Sequence, residues 1–146
     1  MNGEKRPSRP APLPTVQLRH ELPDGSRHID WMLGQDPQGH RPLICFRVDR
    51  PVSELREGQA LPAVRIADHR PAYLEYEGPI SGDRGSVCRL CQGWILTWKR
   101  PQGGYWEMEI CWEGAPGGAI RQHLCLRQED LDRWSVFLRP QTGLLR

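Results

Sequence analysis

Apolar and polar residues alternate along most of the chain in short segments, the pattern that predicts β-strands with one buried face. In the clearest segment, Tyr105–Trp112, tryptophan, methionine and isoleucine alternate with tyrosine, glutamate and cysteine. Strands are also predicted at Thr15–Glu21, Arg27–Leu33, Leu43–Val48, Ala63–Ile66, Tyr73–Glu77, Ser86–Cys91, Gly93–Lys99, Ala119–Leu126 and Trp134–Leu138. Glycine and proline separate these segments, and none has the spacing of a long amphipathic helix.

This pattern predicts an all-β fold, a small closed or partly open β-barrel of about eight strands with one or two short helical turns. The helical turns are expected at residues 51–56, which begin with a proline, and at residues 129–133. Residues 1–14 contain four prolines and three basic residues but almost nothing to bury, which predicts a disordered Pro/Arg-rich tail. Residues 15–146 would then form the single domain.

Composition narrows the class of protein. A chain of 146 residues can bury one core, and no apolar run approaches the ~20 residues of a membrane helix. No apolar secretory signal follows the basic N-terminus, so we expect a cytoplasmic monomer with reduced cysteines and no membrane partner. The net charge of +2 excludes a polycation. Arginine outnumbers lysine 18 to 2. We attribute most of these arginines to codon usage and expect only a few of them to bind phosphate.

Two histidines and an aspartate lie within eleven residues, on either side of a Pro23-Asp24-Gly25 turn. His28 and Asp30 are two residues apart in a predicted strand, so their side chains share one face. A hairpin loop of odd length would place Leu22 opposite His28 and His20 opposite Asp30, which puts all three polar side chains on that face. A loop of even length would send His20 to the other face.

Two imidazoles and one carboxylate on one face suit a divalent transition metal and leave positions open for water or substrate. The alternative is an exposed His28–Asp30 surface pair with no metal. The same donors occur in non-haem iron oxygenases, although the upstream position of His20 disfavours that class. His69, on a predicted loop, would serve as a general acid or hydrogen-bond donor if the fold brings it near the hairpin.

The order of these motifs resembles that of the 3′-phosphoesterase domain of bacterial DNA ligase D. That family carries a Q-K-H segment, then H-Y-D-x-R-L, a W-A-V-P-K-G strand, D-H-x-x-x-Y, and F-E-G-x-I-P-x-G-x-Y-G. The corresponding segments here are Gln17-Leu-Arg-His20, His28-Ile-Asp-Trp-Met-Leu33, Leu43-Ile-Cys-Phe-Arg47, Asp68-His-Arg-Pro-Ala-Tyr73 and Tyr76-Glu-Gly-Pro-Ile-Ser-Gly82. The resemblance spans about Val16 to Leu126.

The resemblance implies a β-barrel that binds manganese through His20, His28 and Asp30. The ligand types themselves leave zinc, cobalt and iron as alternatives. His69 would contact the scissile phosphate, and Tyr73 would line the site. Members of the family remove 3′-phosphates and 3′-ribonucleotides from DNA ends and primer–templates during non-homologous end joining. Nucleic acid would therefore be the substrate, and a repair ligase or polymerase a partner.

The chain departs from the family at positions that bind phosphate there. Met32 and Leu61 stand where the family has arginines. Replacement contacts to the substrate phosphate are expected from other arginines, namely Arg47, Arg70 and Arg84, with Arg65 as a further candidate. The alternative is a catalytically impaired member that binds DNA ends or a repair partner without turnover.

Overall fold

The computed structural model describes residues 10–114 and 118–140, and the chain is all-β there, which confirms the predicted fold class. The strands in these residues are β1 (Leu13–Glu21), β2 (Arg27–Leu33), β3 (Leu43–Val48), β4 (Ala60–His69), β5 (Gly78–Pro79), β6 (Ser86–Gln102), β7 (Tyr105–Glu113), β8 (Ile120–Gln128) and β9 (Arg133–Leu138). Two short 3₁₀ turns lie between strands, and we call Val52–Glu54 the plug turn and Pro71–Leu74 the cover turn.

Eight of the strands form a closed ring in the order β1-β2-β3-β4-β9-β8-β7-β6, and β6 returns to pair with β1. Each neighbouring pair is antiparallel, and β5 adds a short pairing to β6. The sequence predicted two strands in the region that β6 occupies. They are one strand because Gly93 lets β6 run close to β7, where a Cβ atom would lie 2.3 Å from the carbonyl oxygen of Cys111.

The interior of the ring is filled with apolar side chains from seven of its strands, including Trp31, Phe46, Met108, Trp112 and Val136, and Leu13 of β1 packs against them. The plug turn closes one end of the ring. The backbone N–H of Val52 donates to Gln17 Oε1 at 2.7 Å, and its carbonyl accepts from Gln122 Nε2 at 3.1 Å. Because the interior is packed in this way, it has no room for a ligand. We therefore expect a functional site at the end opposite the plug turn or on the outer face of the ring.

A second, smaller apolar cluster lies on the outer face of the ring. It contains Leu18 of β1, Met32 of β2, Leu43 and Cys45 of β3, and Val87 of β6. The cover segment, which we define as residues 70–85, crosses this face and packs Tyr73, Leu74 and Ile80 against the cluster. The outer face of β1 and β2 is therefore partly covered, and the polar side chains beside the cluster are partly desolvated.

Several predicted elements are corrected by the structure. Tyr73 lies in the cover turn and not in a strand, because Pro71 at the first helical position favours a helical turn. Residues 130–132 form bends that lead into β9, so the second predicted helical turn is wrong. β1 begins at Leu13, two residues before the predicted start of the domain, whereas residues 1–9 of the predicted tail lie outside the described residues. In the described residues, no helix has the length and hydropathy needed to cross a membrane.

Candidate metal centre

The β1–β2 hairpin fixes the register of the three candidate ligands. His20 lies opposite His28, and Leu18 lies opposite Asp30. The predicted pairing of His20 with Asp30 is therefore wrong by two residues. The loop is Leu22–Ser26, because the Leu22 N–H donates to the Ser26 carbonyl at 2.8 Å. This loop still has an odd length, so the three side chains share the outer face as predicted.

The three polar side chains converge within a few ångströms. His20 Nδ1 lies 3.4 Å from Asp30 Oδ2, and His28 Nε2 lies 3.1 Å from Asp30 Oδ1. The two imidazole rings meet edge to face, with their centroids 4.9 Å apart. One ligand atom from each residue lies within 4.8 Å of the other two. The arrangement agrees with a cluster of three metal ligands rather than with an isolated surface pair.

The carbonyl oxygen of Arg84 determines which nitrogen of His20 is free. His20 Nε2 lies 2.7 Å from this oxygen, and a carbonyl can only accept, so Nε2 carries the hydrogen. In the neutral ring, Nδ1 then has a lone pair, and it faces Asp30. Histidines that bind metals commonly donate their second N–H to a carbonyl or carboxylate in this way.

Burial at the cluster favours a cation between these atoms. Asp30 is only 3% exposed and His28 8% exposed. His28 Nε2 and Asp30 Oδ1 are both buried, and neither has a well-aligned hydrogen bond in the described residues. These two atoms lie 3.1 Å apart but are not aligned for a hydrogen bond with each other, and a divalent metal would satisfy both of them. Two nitrogen donors and a carboxylate fit manganese, zinc, cobalt or iron.

The protonation of His28 also suits metal binding. Burial lowers the pKa of His28 below its ordinary value, and the charge of Asp30 opposes that effect. The positive charge of Arg47 lowers the pKa of His28 further. The imidazole is therefore held in the neutral form, which is the form that binds a metal.

A β-bulge brings His69 to the same outer face. Leu43 pairs with His69 and Cys45 pairs with Ile66, so one extra residue is inserted into β4 between these pairs. Without that residue, alternation would turn His69 into the interior of the ring. Since the Ala67 carbonyl accepts from His69 Nδ1 at 2.8 Å, Nε2 is the nitrogen left for a substrate.

His20 and Asp30 open into one cavity of about 260 Å³ on the outer face, which we call the outer cavity. The remaining residues that line it come from β2, from β4 and its end, from the cover segment and from β6, and they are Met32, Asp68, His69, Arg70, Tyr73, Ile80, Arg84 and Val87. The cavity thus brings together two candidate metal ligands, both candidate catalytic residues and two of the candidate phosphate-binding arginines. Asp68 also lines the cavity, whereas the sequence predicted this position only for its neighbour His69.

The remaining expected residues are placed differently. Arg47 pairs with Asp30 across β2 and β3, and its charge acts on His28, but its side chain does not line the outer cavity. Leu61 is 1% exposed in the interior core, so this position contributes nothing to the outer face. Met32 lines the cavity and is fully buried, so it offers an apolar surface where the family has a cation.

The turn that carries Arg84 packs tightly against β1. Gly85 has a φ of +87°, and a Cβ atom there would lie 1.8 Å from the carbonyl oxygen of Glu21. The Gly85 carbonyl accepts from the Ile80 N–H at 2.7 Å, which closes the turn. Glycine at this position therefore allows the Arg84 carbonyl to reach His20.

Replacement of Gly85 with alanine is expected to weaken manganese binding about 10- to 100-fold, because the clash with β1 separates the Arg84 carbonyl from His20. The matched control is Gly82→Ala, since Gly82 has a similar φ of +78° but no backbone atom within 4 Å of a Cβ. Calorimetric titration of both variants with MnCl₂ measures the effect. Equal affinities in the two variants would show that the Arg84 carbonyl does not position the ligand.

Comparison with known proteins gives no match, either to a family model or to a curated protein. Two observations bear on function, the geometry of the outer cavity and the order of the sequence motifs. Both concern the same residues, since His20, Asp30, His69 and Tyr73 belong to the motifs and line the cavity.

Proposed function

We propose that the chain is a divalent-metal-dependent phosphoesterase that acts on nucleic-acid 3′ ends. It would remove a 3′-phosphate or a 3′-ribonucleotide and so prepare a DNA end for joining. The observation that carries the proposal is the meeting of His20 and Asp30 with His69, Arg70, Tyr73 and Arg84 in one cavity. The resemblance to the ligase D phosphoesterase domain supplies the substrate class, and it favours manganese and a repair ligase or polymerase as partner.

The residues of the outer cavity suit hydrolysis of a phosphate ester. A metal held by His20, His28 and Asp30 would polarise a phosphoryl oxygen and favour attack by water. With a 3′-phosphate substrate, the water oxygen would bond to phosphorus, the bond between phosphorus and the 3′ oxygen would break, and the 3′ oxygen would take up a proton, so the products would be a 3′-hydroxyl and phosphate. His69 in its protonated form donates from Nε2, since Nδ1 is bound to the Ala67 carbonyl.

The two arginines at the cavity have different freedom to bind phosphate. Arg84 donates from Nε to the Ser81 carbonyl at 2.7 Å, so part of its guanidinium is already used within the turn. Arg70 is exposed at the start of the cover turn and makes no side-chain hydrogen bond in the described residues. Arg70 is therefore the better candidate to bind a substrate phosphate as a bidentate donor.

The proposal is tested with purified protein, MnCl₂ and a 5′-labelled primer–template that ends in a 3′-phosphate or one 3′-ribonucleotide. The expected product is the primer without its 3′-phosphate or 3′-ribonucleotide and with a 3′-hydroxyl, and chelation of the metal should prevent its formation. The matched control substrate carries its phosphate at the 5′ end of the primer. Absence of release from all these substrates and from other phosphodiesters would refute the proposal.

Met32 and Leu61 favour a second candidate function, a protein that holds a DNA end without cleaving it. Met32 gives the cavity wall no positive charge, and Leu61 lies in the interior core. Loss of a desolvated arginine–phosphate contact typically costs about 2–5 kcal/mol, which is enough to suppress turnover. Retention of metal and of labelled DNA ends without any release would support this function over the first.

A further inference from the structure

The end of the ring opposite the plug turn carries a group of aromatic side chains. Trp98 of β6 packs against Trp106 of β7 with 5.3 Å between ring centroids, and Trp106 packs against Trp134 of β9 at 4.7 Å. Phe46 of β3 completes the group from the interior side. These rings close the core at this end, and their outer surfaces are covered by arginines rather than by apolar residues.

Two guanidinium groups lie over the tryptophans. The Arg100 guanidinium carbon lies 4.2 Å from the Trp98 ring centroid and 4.8 Å from that of Trp106. Arg65 lies over the other part of the same surface, 5.5 Å from the Trp106 centroid. Stacking on aromatic rings holds an arginine in place while its N–H donors stay free for an anion.

The two guanidinium groups at this end have few carboxylate partners among the described residues. Burial, followed by the positive charges of Arg65 and Arg41, lowers the pKa of Arg100. In the described residues, neither Arg41 nor Arg100 forms an ion pair, and the Arg65–Asp68 pair is long at 4.0 Å and partly exposed. The buried Trp98 Nε1–H also has no acceptor there. Arg100 and the Trp98 Nε1–H are therefore the donors at this end that have no acceptor in the described residues.

This end lies next to the outer cavity. Arg65 points to the interior side of β4, opposite Phe46, whereas the bulge turns His69 outward. Asp68, which pairs with Arg65, itself lines the cavity. The Arg65–Asp68 pair therefore lies between the outer cavity and this end of the ring.

We infer that Arg65 and Arg100, stacked on Trp98 and Trp106, form a second binding site for a backbone phosphate of a nucleic-acid strand. We call these four residues the arginine mouth. The strand would be the one whose 3′ end enters the outer cavity, and this choice of ligand rests on the proposed function. Arginine forks bind phosphate oxygens bidentately, and a polyanion is the ligand that several unbalanced guanidinium groups favour.

The test is fluorescence anisotropy of the full chain with a labelled single-stranded oligonucleotide at several salt concentrations, with a chelator present. Arg100→Gln is expected to weaken binding about fivefold near 0.1 M salt, because one phosphate contact is lost. The slope of log affinity against log salt should fall by about 0.7. Arg100→Lys should keep most of the slope, since it keeps the charge.

The matched control is Arg127→Gln, which also removes a stacked arginine. Arg127 lies 5.0 Å from the Phe137 ring centroid, on β8 and outside the arginine mouth. Its variant should bind like the unaltered chain, and thermal unfolding should show that all variants are folded. The inference would be overturned if Arg100→Gln bound the oligonucleotide as tightly as Arg127→Gln does. It would also be overturned if Arg100→Lys lost as much of the salt slope as Arg100→Gln.

Further results distinguish failure of the arginine mouth from failure of the proposed phosphoesterase function. Competition by poly-glutamate as strong as that by unlabelled DNA would overturn the assignment to nucleic acid. The anisotropy test needs no turnover. If the chain released nothing from any 3′ end but Arg100→Gln still weakened oligonucleotide binding, the phosphoesterase function would be refuted and the arginine mouth supported. An active chain in which Arg100→Gln binds normally would refute the arginine mouth alone.

Discussion

Asp30→Asn is expected to weaken binding of divalent metal by at least about 100-fold and to reduce 3′-phosphate release to background. Asp30 is the only carboxylate of the three-ligand cluster and lies within 3.4 Å of both histidines. Asparagine keeps the shape but removes the negative charge, and metal affinity depends strongly on a charged oxygen ligand. Calorimetric titration with MnCl₂ and ZnCl₂ gives the affinity, and a primer assay gives the turnover.

The control for this substitution is Asp132→Asn, which removes the same charge from the bend before β9. Asp132 contributes a backbone carbonyl to the Arg65 N–H, and this contact does not need its side chain. Its variant should bind metal as tightly as the unaltered chain. If Asp30→Asn also retained full affinity, the cluster would be an ordinary His–Asp hydrogen-bonding group and not a metal centre.

His69→Gln is expected to lower turnover about 10²- to 10⁴-fold while metal affinity stays unchanged. His69 lines the outer cavity but is not one of the three clustered ligands, and its Nε2 is the nitrogen free to donate. Glutamine retains a polar group but cannot carry the transferred proton. Single-turnover rates with a 3′-phosphate primer, measured beside metal titrations, separate the two effects.

His40→Gln is the matched control, because His40 lies exposed in the β2–β3 loop and outside the cavity lining. It should leave both turnover and metal affinity unchanged. Turnover that is insensitive to His69→Gln would remove His69 from the catalytic group. A loss of metal affinity in His69→Gln would instead place this residue among the ligands.

Alternation along the strands was enough to predict the fold class and the shared face of the three ligands. A period of two determines the face of each residue whatever the exact pairing, so a register error of two residues in the hairpin left His20, His28 and Asp30 together. The exact pairing depended on hydrogen bonds within the turn. Asp24 Oδ1 accepts from both Ser26 N and Ser26 Oγ, which centres the loop on Asp24.

Features that depend on breaks in the alternation could not be predicted. The outward direction of His69 needs the extra residue in β4, and no residue type in that segment marks a bulge. The same bulge separates Leu61 from the cavity. Leu61 and His69 are eight residues apart, which predicts a shared face, but the extra residue between them leaves Leu61 on the interior face and His69 on the outer face. The hydrogen bond to His20 comes from the backbone of Arg84, which side-chain motifs do not report.

The ligands of the metal centre and the walls of the outer cavity come from separate parts of the chain. All three ligands lie on one hairpin of eleven residues, from His20 to Asp30, whereas the walls come mainly from Asp68 to Val87. Exchange of residues 70–84 for a loop of another sequence could therefore re-target the centre to a different substrate without altering the ligands. Gly85 would have to be kept in such a graft, because the hairpin backbone leaves no room for a side chain there.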